Sequence, residues 1–410
     1  MSRRTMVQWC DSRMGRFYRD LRPGQWRTVI LGLGLATLLA ACTGPSNTVY
    51  LSMEESLHPA VVRANRAAEA WLLANFQGDE FLYLYDPVRN EVPAENNMIR
   101  QLLASRLLAE MASARPELMP RHRANLQHIF ENWYQESGGH GYIYFDRDSK
   151  LGANAMALRT LVYSPDFSRH AAKARRLADG ILSLRREDGG LRPMYREKWE
   201  PDNPVVLEAF YSGEALLALL EYAERGGEDR YREAAVAIQD HYLEVYVDNI
   251  AENFMPYYVP WHTLSLHNLY RQTGDPRYAR AVFTLNDELL KMLEREEQPG
   301  RFYAAGYRRF GLPHSASQAI YAESLVYALE VAHAAGDRAR VRRYRDDLEL
   351  AMKFLIALQY QPDEVPPGAD PQRVVGGIRT SIADPRIRVD SVQHAVDAFR
   401  KTLLVLAANP

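Results

Sequence analysis

Residues 211–242 read “YSGEALLALLEYAERGGEDRYREAAVAIQDHY”. The first half is almost wholly apolar, whereas the second half repeats its apolar residues on one face, with a period near 3.6. Between them, “RGGEDRY” combines two glycines with acidic residues, which end one helix and begin the next. The stretch therefore predicts a helical hairpin, made of an apolar helix, a short turn and an amphipathic helix.

The same hairpin repeats along the chain. Short connectors such as “SPDFSR”, “TGDPRY” and “AGDRAR” follow alternate helices, and the other connectors are long. Corresponding points of the apolar helices lie about 50–70 residues apart, a spacing typical of repeat proteins. Twelve helices are predicted, at residues 56–76, 95–113, 119–135, 151–163, 168–184, 205–224, 229–247, 260–272, 276–294, 314–335, 338–358 and 391–407.

Antiparallel hairpins place all short turns at one end of a bundle and all long loops at the other. An open stack of hairpins needs polar end repeats, yet the helix predicted at 391–407 is nearly as apolar as the others. We therefore expect an all-α fold, a closed toroid of six helical hairpins with the apolar helices inside. Short β-hairpin-like loops are expected on one rim, where “EFLYLYD” and “GYIYFDR” are strand-like.

The N-terminal segment is typical of an export signal. Arginines dominate residues 1–27, and “TVILGLGLATLLAAC” follows them, with an apolar core shorter than the roughly 20 residues of a membrane span. Its “LAAC” ending resembles the cleavage box of bacterial lipoproteins, although an ordinary signal peptide or an uncleaved anchor is the alternative. We predict a lipoprotein signal peptide at 1–41, the lipidated Cys42 with a tether at 42–54, and a single toroid domain at 55–410.

Cysteine content and charge exclude several classes of protein. Cys10 and Cys42 are the two cysteines, so the predicted domain has neither a disulfide nor a thiol nucleophile. The signal segment contributes +5 to a chain of net charge −2, so the remainder carries −7, which argues against nucleic-acid binding. Thr43, in place of aspartate, resembles outer-membrane sorting, and we expect an exported protein anchored in the outer membrane, facing the periplasm.

The long connectors are rich in aromatic residues with charged residues between them, as in “QGDEFLYLYDPVRNEVPAE” and “REEQPGRFYAAGYRRFGLP”. Aromatic and charged groups together in a cleft suit sugars, because rings cover apolar sugar faces and charged groups bind hydroxyls or carboxylates. A saccharide-binding funnel at the rim is one interpretation. The other is that these aromatics form a local core over the mouth.

Five short motifs add a resemblance to a known superfamily: “ENNMIRQ”, “LGANAMAL”, “YSGEALLALLEY”, “PWHTLSLHNLYRQTGDPRY” and “GGIRTS…RIRVDSVQHAV”. Over roughly residues 55–407 the chain resembles the (α/α)6-toroid superfamily of six-hairpin glycosidases and related sugar epimerases and lyases. In particular, it is similar to the C-terminal toroid of D-glucuronyl C5-epimerase-like proteins. The resemblance implies an exported protein that acts on or binds glycan, and it assigns no catalytic residue.

Three carboxyl groups are candidates for acid–base catalysis: Glu214, Glu323 and Asp390. Glycoside cleavage usually needs two carboxyl groups on opposite sides of the bond. Glu214 and Glu323 lie within apolar helices, where an unpaired charge costs several kcal/mol. The alternatives for both are an internal pair with Arg100 or His394 that joins neighbouring hairpins, or an exposed position.

The start of the last predicted helix also has two interpretations. Asp390 followed by Gln393 is similar to a capping box, which needs no substrate. His394 lies four residues after Asp390 and on the same helical face, and Arg388 precedes both, so this helix start is also a candidate wall of the site.

Histidines at helix starts are more often structural than functional. The candidate substrate-binding residues are those expected at or near the starts of the inner helices: Asn97, Arg100, Tyr211, Trp261, His262, His314, Arg388 and His394. No metal-binding set is found. His262 and His267 are five residues apart, which is unsuitable for two ligands on one helical face, and no H-E-x-x-H motif is present. No cofactor is expected.

The sequence thus predicts a lipid-anchored, carbohydrate-active envelope protein that acts on an exported or cell-envelope polysaccharide at an aromatic-rimmed funnel. The reaction is either hydrolysis or proton abstraction beside a uronate carboxylate, as in an epimerase or lyase. The alternative is a non-catalytic lipoprotein that binds glycan or a protein partner of an envelope assembly or export machine.

Overall fold

The computed structural model describes residues 56–195, 204–226 and 228–408, and the predicted signal peptide, Cys42 and the tether lie outside them. The twelve predicted helices are all present in the described residues, with ends shifted by a few residues. They are α1 (Leu57–Ala74), α2 (Met98–Ala114), α3 (Met119–Asn132), α4 (Leu151–Tyr163), α5 (Phe167–Leu182), α6 (Pro204–Gly226), α7 (Asp229–Tyr242), α8 (Val259–Thr273), α9 (Pro276–Leu289), α10 (Ser315–Ala334), α11 (Arg338–Ala357) and α12 (Val389–Ala408). None of these helices is both long and apolar enough to cross a membrane.

The helices form a closed double ring. Each even-numbered helix packs against the next even-numbered helix, and the inner ring closes where α12 contacts α2. Each odd-numbered helix packs on the outside, and α1 lies against α12, so the first helix of the chain completes the hairpin of the last. Short turns join each inner helix to the outer helix that follows, and long loops lead back to the next inner helix. The predicted closed ring is confirmed.

Patterns of apolar residues explain which helices lie inside. In α4 every residue from Leu151 to Val162 is buried, because an inner helix is covered by the ring on both sides. In α5 a single stripe is buried, and it consists of Ala174, Leu177, Ala178, Gly180 and Ile181. That spacing of three and four residues marks one face of an amphipathic helix, and the remaining face of α5 is left to solvent.

In the part of the chain that the structure describes, the rim loops contain six strands of two to four residues: β1 (Phe76–Gln77), β2 (Glu80–Phe81), β3 (Leu84–Tyr85), β4 (Tyr134–Ser137), β5 (His140–Ile143) and β6 (Ile387–Arg388). The pairs β1–β2 and β4–β5 are the predicted hairpins. The third pair, β3–β6, joins the first rim loop to the last, with Leu84 opposite Arg388 and Tyr85 opposite Ile387. This antiparallel pair closes the rim where the inner ring also closes.

Gly213 sets the distance between α6 and α8. A Cβ atom at this position would lie 2.6 Å from the Cβ of Trp261 and 2.7 Å from the backbone nitrogen of His262. We expect Gly213→Ala to lower the free energy of unfolding by about 1–3 kcal/mol, because the two helix backbones must separate to admit the methyl group. Urea denaturation measures the change. Gly226→Ala, at the exposed end of the same helix, is the control and should change stability by less than about 1 kcal/mol.

Candidate functional site

The mouth of the ring contains an ion-pair cluster centred on Asp390. The Arg388 guanidinium contacts its two carboxylate oxygens at 2.5 and 2.9 Å, and Nε of Arg100, from α2, lies 2.9 Å from Oδ2. Arg100 also donates to the hydroxyl of Tyr83. Burial alone raises the pKa of Asp390, but the charges of Arg388 and Arg100 outweigh it, and the pKa falls well below its ordinary value. Asp390 therefore remains a carboxylate that holds two arginines in place.

The start of α12 differs from a capping box. Asp390 accepts a hydrogen bond from the backbone nitrogen of Ser391 at 3.1 Å, whereas the Gln393 side chain donates to Oδ2 of Asp397. Gln393 turns into the ring because its helical position faces neighbouring inner helices, where it is fully buried.

Two other predicted binding residues at the mouth cap helices. Oδ1 of Asn97 accepts hydrogen bonds from the backbone nitrogens of Ile99 and Arg100 at the start of α2. Nδ1 of His314 accepts one from Ser317 at the start of α10. The His314 ring is nevertheless exposed to solvent, and the protein around it and the charge of Arg388 lower its pKa to about 4.

Glu214 lies on α6, against the start of α4. A Cβ on Gly152 would collide with the Glu214 carboxyl and with the ring of Tyr211, so this glycine makes room for both side chains. Glu214 is buried, and its Oε2 has no hydrogen-bond partner in the described part of the chain. Burial raises the pKa of Glu214 to about 8, although the nearby Arg159 partly opposes the shift. The carboxyl group is therefore protonated at neutral pH and can donate a proton.

The raised pKa of Glu214 makes stability depend on pH. Because the folded protein holds this proton more tightly than the unfolded chain, the free energy of unfolding falls as pH rises from about 5 to 8, by up to about 1.4 kcal/mol per pH unit. We expect Glu214→Gln to remove this contribution, so that the variant gains stability relative to wild type as pH rises. Urea denaturation at several pH values measures the difference. Parallel curves for the two proteins would contradict the expectation.

Trp261, from α8, lies between the two sides of the inner ring. Its ring centroid is 6.0 Å from that of His394 on α12, and the Arg159 guanidinium of α4 lies 5.9 Å from its centre. The neighbouring His262 has a different environment, since its ring nitrogens lie 2.9 Å from Oγ of Ser212 and 3.2 Å from Nε2 of Gln239. With both nitrogens occupied and the ring buried, His262 joins α6, α7 and α8.

Glu323, His394 and Asp397 converge below Trp261. One ligand atom from each of the three lies within 4.8 Å of the other two, and all three side chains are buried. Burial and the neighbouring Asp397 raise the pKa of Glu323 above its ordinary value. Asp397 itself accepts hydrogen bonds from Arg106 and Gln393 and stays ionised, its pKa lowered by Arg106 against the effect of burial.

Further along the interior, Arg159 forms an ion pair with Glu221 of α6. The guanidinium donates to both carboxylate oxygens, at 2.7 and 2.8 Å, and the Tyr163 hydroxyl donates to Oε1 at 2.9 Å. This group connects α4 to α6.

The aromatic residues of the rim loops divide into two sets. One set is buried within its own loops, and in it Tyr246 stacks on Tyr258 with ring centroids 4.0 Å apart: Tyr83, Tyr85, Tyr246, Tyr258 and Phe302. The other set is half-exposed: Tyr144, Tyr257, Tyr303, Tyr307 and Phe310. The local-core interpretation therefore describes the first set, and the second set is accessible to a ligand.

The structure thus brings most of the predicted site residues onto the inner helices and the mouth, in two groups. Arg100, Arg388, Asp390 and His314 lie at the mouth, while Glu323 and His394 lie deeper. Sequence reasoning missed Asp397, Arg106 and Arg159. An arginine inside an apolar helix, as in “NAMALRTLV”, was the available signal for Arg159, and the three-residue spacing of His394 and Asp397 was the signal for their common face.

Comparison with protein-family models and with curated protein sequences finds no match. Solved structures do align with most of the chain. The GH76 α-mannanase BT2949 of Bacteroides thetaiotaomicron has a TM-score of 0.60 and 12% identity, covering 87% of this chain and 98% of that one. An unsaturated glucuronyl hydrolase specific for heparin has a TM-score of 0.59 and 10% identity, and the alignment covers 85% of this chain and 98% of the hydrolase. A D-mannose isomerase has a TM-score of 0.61 and 12% identity, and the alignment covers 88% of this chain and 100% of the isomerase.

These structures share one architecture with the double ring described here. The fold is the (α/α)6 toroid. In this toroid, the inner helices all start at the rim that carries the long loops, so the side chains of their first turns meet at its mouth. Asp390 lies in the first turn of α12, and Glu214 lies beside Gly152 in the first turn of α4.

Proposed function

We propose that the protein is a carbohydrate-active enzyme that binds a saccharide in the mouth of the toroid and uses Glu214 as its proton donor. The observation that carries this proposal is the state of Glu214, which is buried, protonated at neutral pH, and without a partner on Oε2. A carboxylic acid kept neutral near pH 7 is what general acid catalysis requires. The Tyr211 ring lies beside the same space at Gly152, and Trp261 packs against the neighbouring Gly213.

The groups around the mouth support a saccharide as the ligand. Arg100 and Arg388 have a fixed orientation because Asp390 holds both, so their remaining N–H groups can donate to hydroxyls or to a carboxylate. The half-exposed aromatics of the rim supply apolar faces, and His314 supplies a ring open to solvent. The structural neighbours, a mannanase, a glucuronyl hydrolase and a mannose isomerase, all act on sugars.

The geometry distinguishes the roles of the three candidate carboxyl groups. In hydrolysis, Glu214 would protonate the oxygen of the leaving sugar as its bond to the anomeric carbon breaks, water would add to that carbon, and the proton lost by this water would pass to solvent. Asp390 is unsuited to taking up a proton at neutral pH, since two arginines stabilise its charge, and its proposed role is to position them. Burial raises the pKa of Glu323 as it raises that of Glu214, but Glu323 lies in the deeper group beside Asp397.

Incubation of the purified full-length protein with a panel of saccharides tests the function. The panel contains manno-oligosaccharides, heparin-derived unsaturated disaccharides, neutral and uronate polysaccharides, and free mannose. New reducing ends report hydrolysis, absorbance of a new double bond reports a lyase, and solvent deuterium in the sugar reports an epimerase or isomerase. Turnover of one class supports the proposal. Binding without turnover would instead support a non-catalytic glycan-binding protein. If the protein neither turns over nor binds any saccharide of the panel, the proposed role in saccharide chemistry is wrong.

We also propose that the protein is a lipoprotein of the cell envelope, attached through Cys42 to the periplasmic face of the outer membrane. The “LAAC” box and Thr43 support this localisation. Cells grown with radiolabelled palmitate should incorporate the label into the wild-type protein, and Cys42→Ser should abolish it and release the protein from the membrane fraction. Cys10→Ser is the matched control and should keep the label. Equal labelling of both variants would contradict lipidation at Cys42.

A further inference from the structure

The deeper group of the toroid contains buried polar side chains that the proposed proton donor does not use. Glu323 from α10 and His394 and Asp397 from α12 place one ligand atom each within 4.8 Å of the others. The three residues are 4–6% exposed, so water reaches them poorly. Buried groups of this kind are normally satisfied by hydrogen bonds, and each exception requires an explanation.

Hydrogen bonds within the described residues satisfy one of the three side chains. Arg106 and Gln393 both donate to Oδ2 of Asp397, which leaves Oδ1 available. Glu323 forms no ion pair in the described structure, and Nδ1 of the buried His394 has no partner there. The arginine therefore explains the presence of Asp397 but not the approach of Glu323 and His394 to it.

We propose that Glu323, His394 and Asp397 bind a divalent transition-metal ion, with Zn²⁺ or Mn²⁺ as the class of ion that suits one imidazole and two carboxylates. Arg106 and Gln393 then form the outer layer of hydrogen bonds that orients a ligating carboxylate. Three protein ligands leave at least one coordination position for water or another small molecule.

The side chains need only a small adjustment to coordinate an ion. Ligands at about 2.0–2.2 Å from a tetrahedral Zn²⁺ lie roughly 3.4 Å apart. The ligand atoms lie within 4.8 Å of one another, so a contraction of at most about 1.4 Å is sufficient. Glu323 can supply it, since its side chain is long and no hydrogen bond holds it in the described structure. His394 and Asp397 are on adjacent turns of one helix and approach the ion from the same side.

Calorimetric titration of the metal-stripped full-length protein with Zn²⁺, and separately with Mn²⁺, tests the inference without any saccharide. We expect one ion per chain for at least one of the two metals. Glu323→Gln and His394→Asn should each weaken binding by at least about tenfold, and Co²⁺ absorption spectra should lose the bands of a nitrogen-containing site in His394→Asn. Circular dichroism establishes that both variants are folded.

Glu214→Gln is the matched control, because it makes the same chemical change in another buried carboxyl of the toroid interior and should leave metal affinity unchanged. The inference is wrong if neither ion binds with single-site stoichiometry. It is also wrong if a folded Glu323→Gln and a folded His394→Asn both bind as tightly as wild type. The result is independent of the proposed function. Metal binding can be found in a protein that turns over no saccharide, and a protein that turns over a saccharide can fail to bind metal.

Discussion

Replacing Glu214 by glutamine is expected to lower turnover of the saccharide substrate by about 10²–10⁴-fold, the contribution typical of a positioned general acid. Glutamine keeps the shape of the side chain in the space beside Gly152 but has no proton to transfer. The loss should therefore appear in kcat, with KM little changed. Steady-state kinetics on the substrate found with the saccharide panel measure both constants.

The pH profile provides a second measurement of the same role. Wild-type activity should fall as pH rises above about 8, because deprotonation of Glu214 removes the donor. Glu224→Gln is the matched control, since this glutamate lies on the same helix but at the opposite, exposed end, and it should keep wild-type kinetics. Full activity of Glu214→Gln would assign proton transfer to another group.

Removing one partner of the Arg159–Glu221 pair is expected to cause the largest loss of stability. Arg159→Met leaves the largely buried Glu221 carboxylate without its guanidinium, and such a change costs about 3–5 kcal/mol. The Tyr163 hydroxyl remains as a donor to Glu221 but carries no charge. Urea denaturation at constant pH measures the free energy of unfolding.

A second ion pair between inner helices gives the control for this experiment. Arg271 contacts Glu224 in the exposed part of α8 and α6, with about half of each side chain open to solvent. Arg271→Met should cost less than about 1 kcal/mol. The double variant Arg159→Met with Glu221→Met should recover part of the loss, because no uncompensated charge remains. Equal losses of stability in Arg159→Met and Arg271→Met would show that burial of the Arg159–Glu221 pair has no energetic consequence.

The fold could be predicted because its determinants are local. The apolar residues of α4 and the single stripe of α5 distinguish inner from outer helices by periodicity alone, and connector lengths then fix which ends meet. Ring closure followed from the apolar character of α12, which a terminal helix in an open stack would not have. The β3–β6 pair was not predicted, because it joins residues some 300 positions apart through two-residue strands without a pattern of their own.

The site could be predicted only in part, because its contacts join distant helices. Glu214 and Glu323 stand out as acids within apolar helices, whatever their partners. Their partners depend on the rotation of each helix about its own axis, which sequence patterns fix only coarsely. Arg106 and Asp397, for example, are 291 residues apart in sequence and meet because α12 closes against α2. The division of the rim aromatics into buried and accessible sets depends on loop conformation in the same way.

The closure of α1 against α12 has a topological consequence. On the face opposite the mouth, five short turns each join an inner helix to the outer helix that follows it, and the sixth position is occupied by the start of α1 and the end of α12. Joining the start of α1 to the end of α12 would therefore give all six hairpins the same connections. A circular permutant that links these ends and opens the chain at the turn beside Gly274 would retain every inner-helix contact, while a different hairpin would be the first to leave the ribosome.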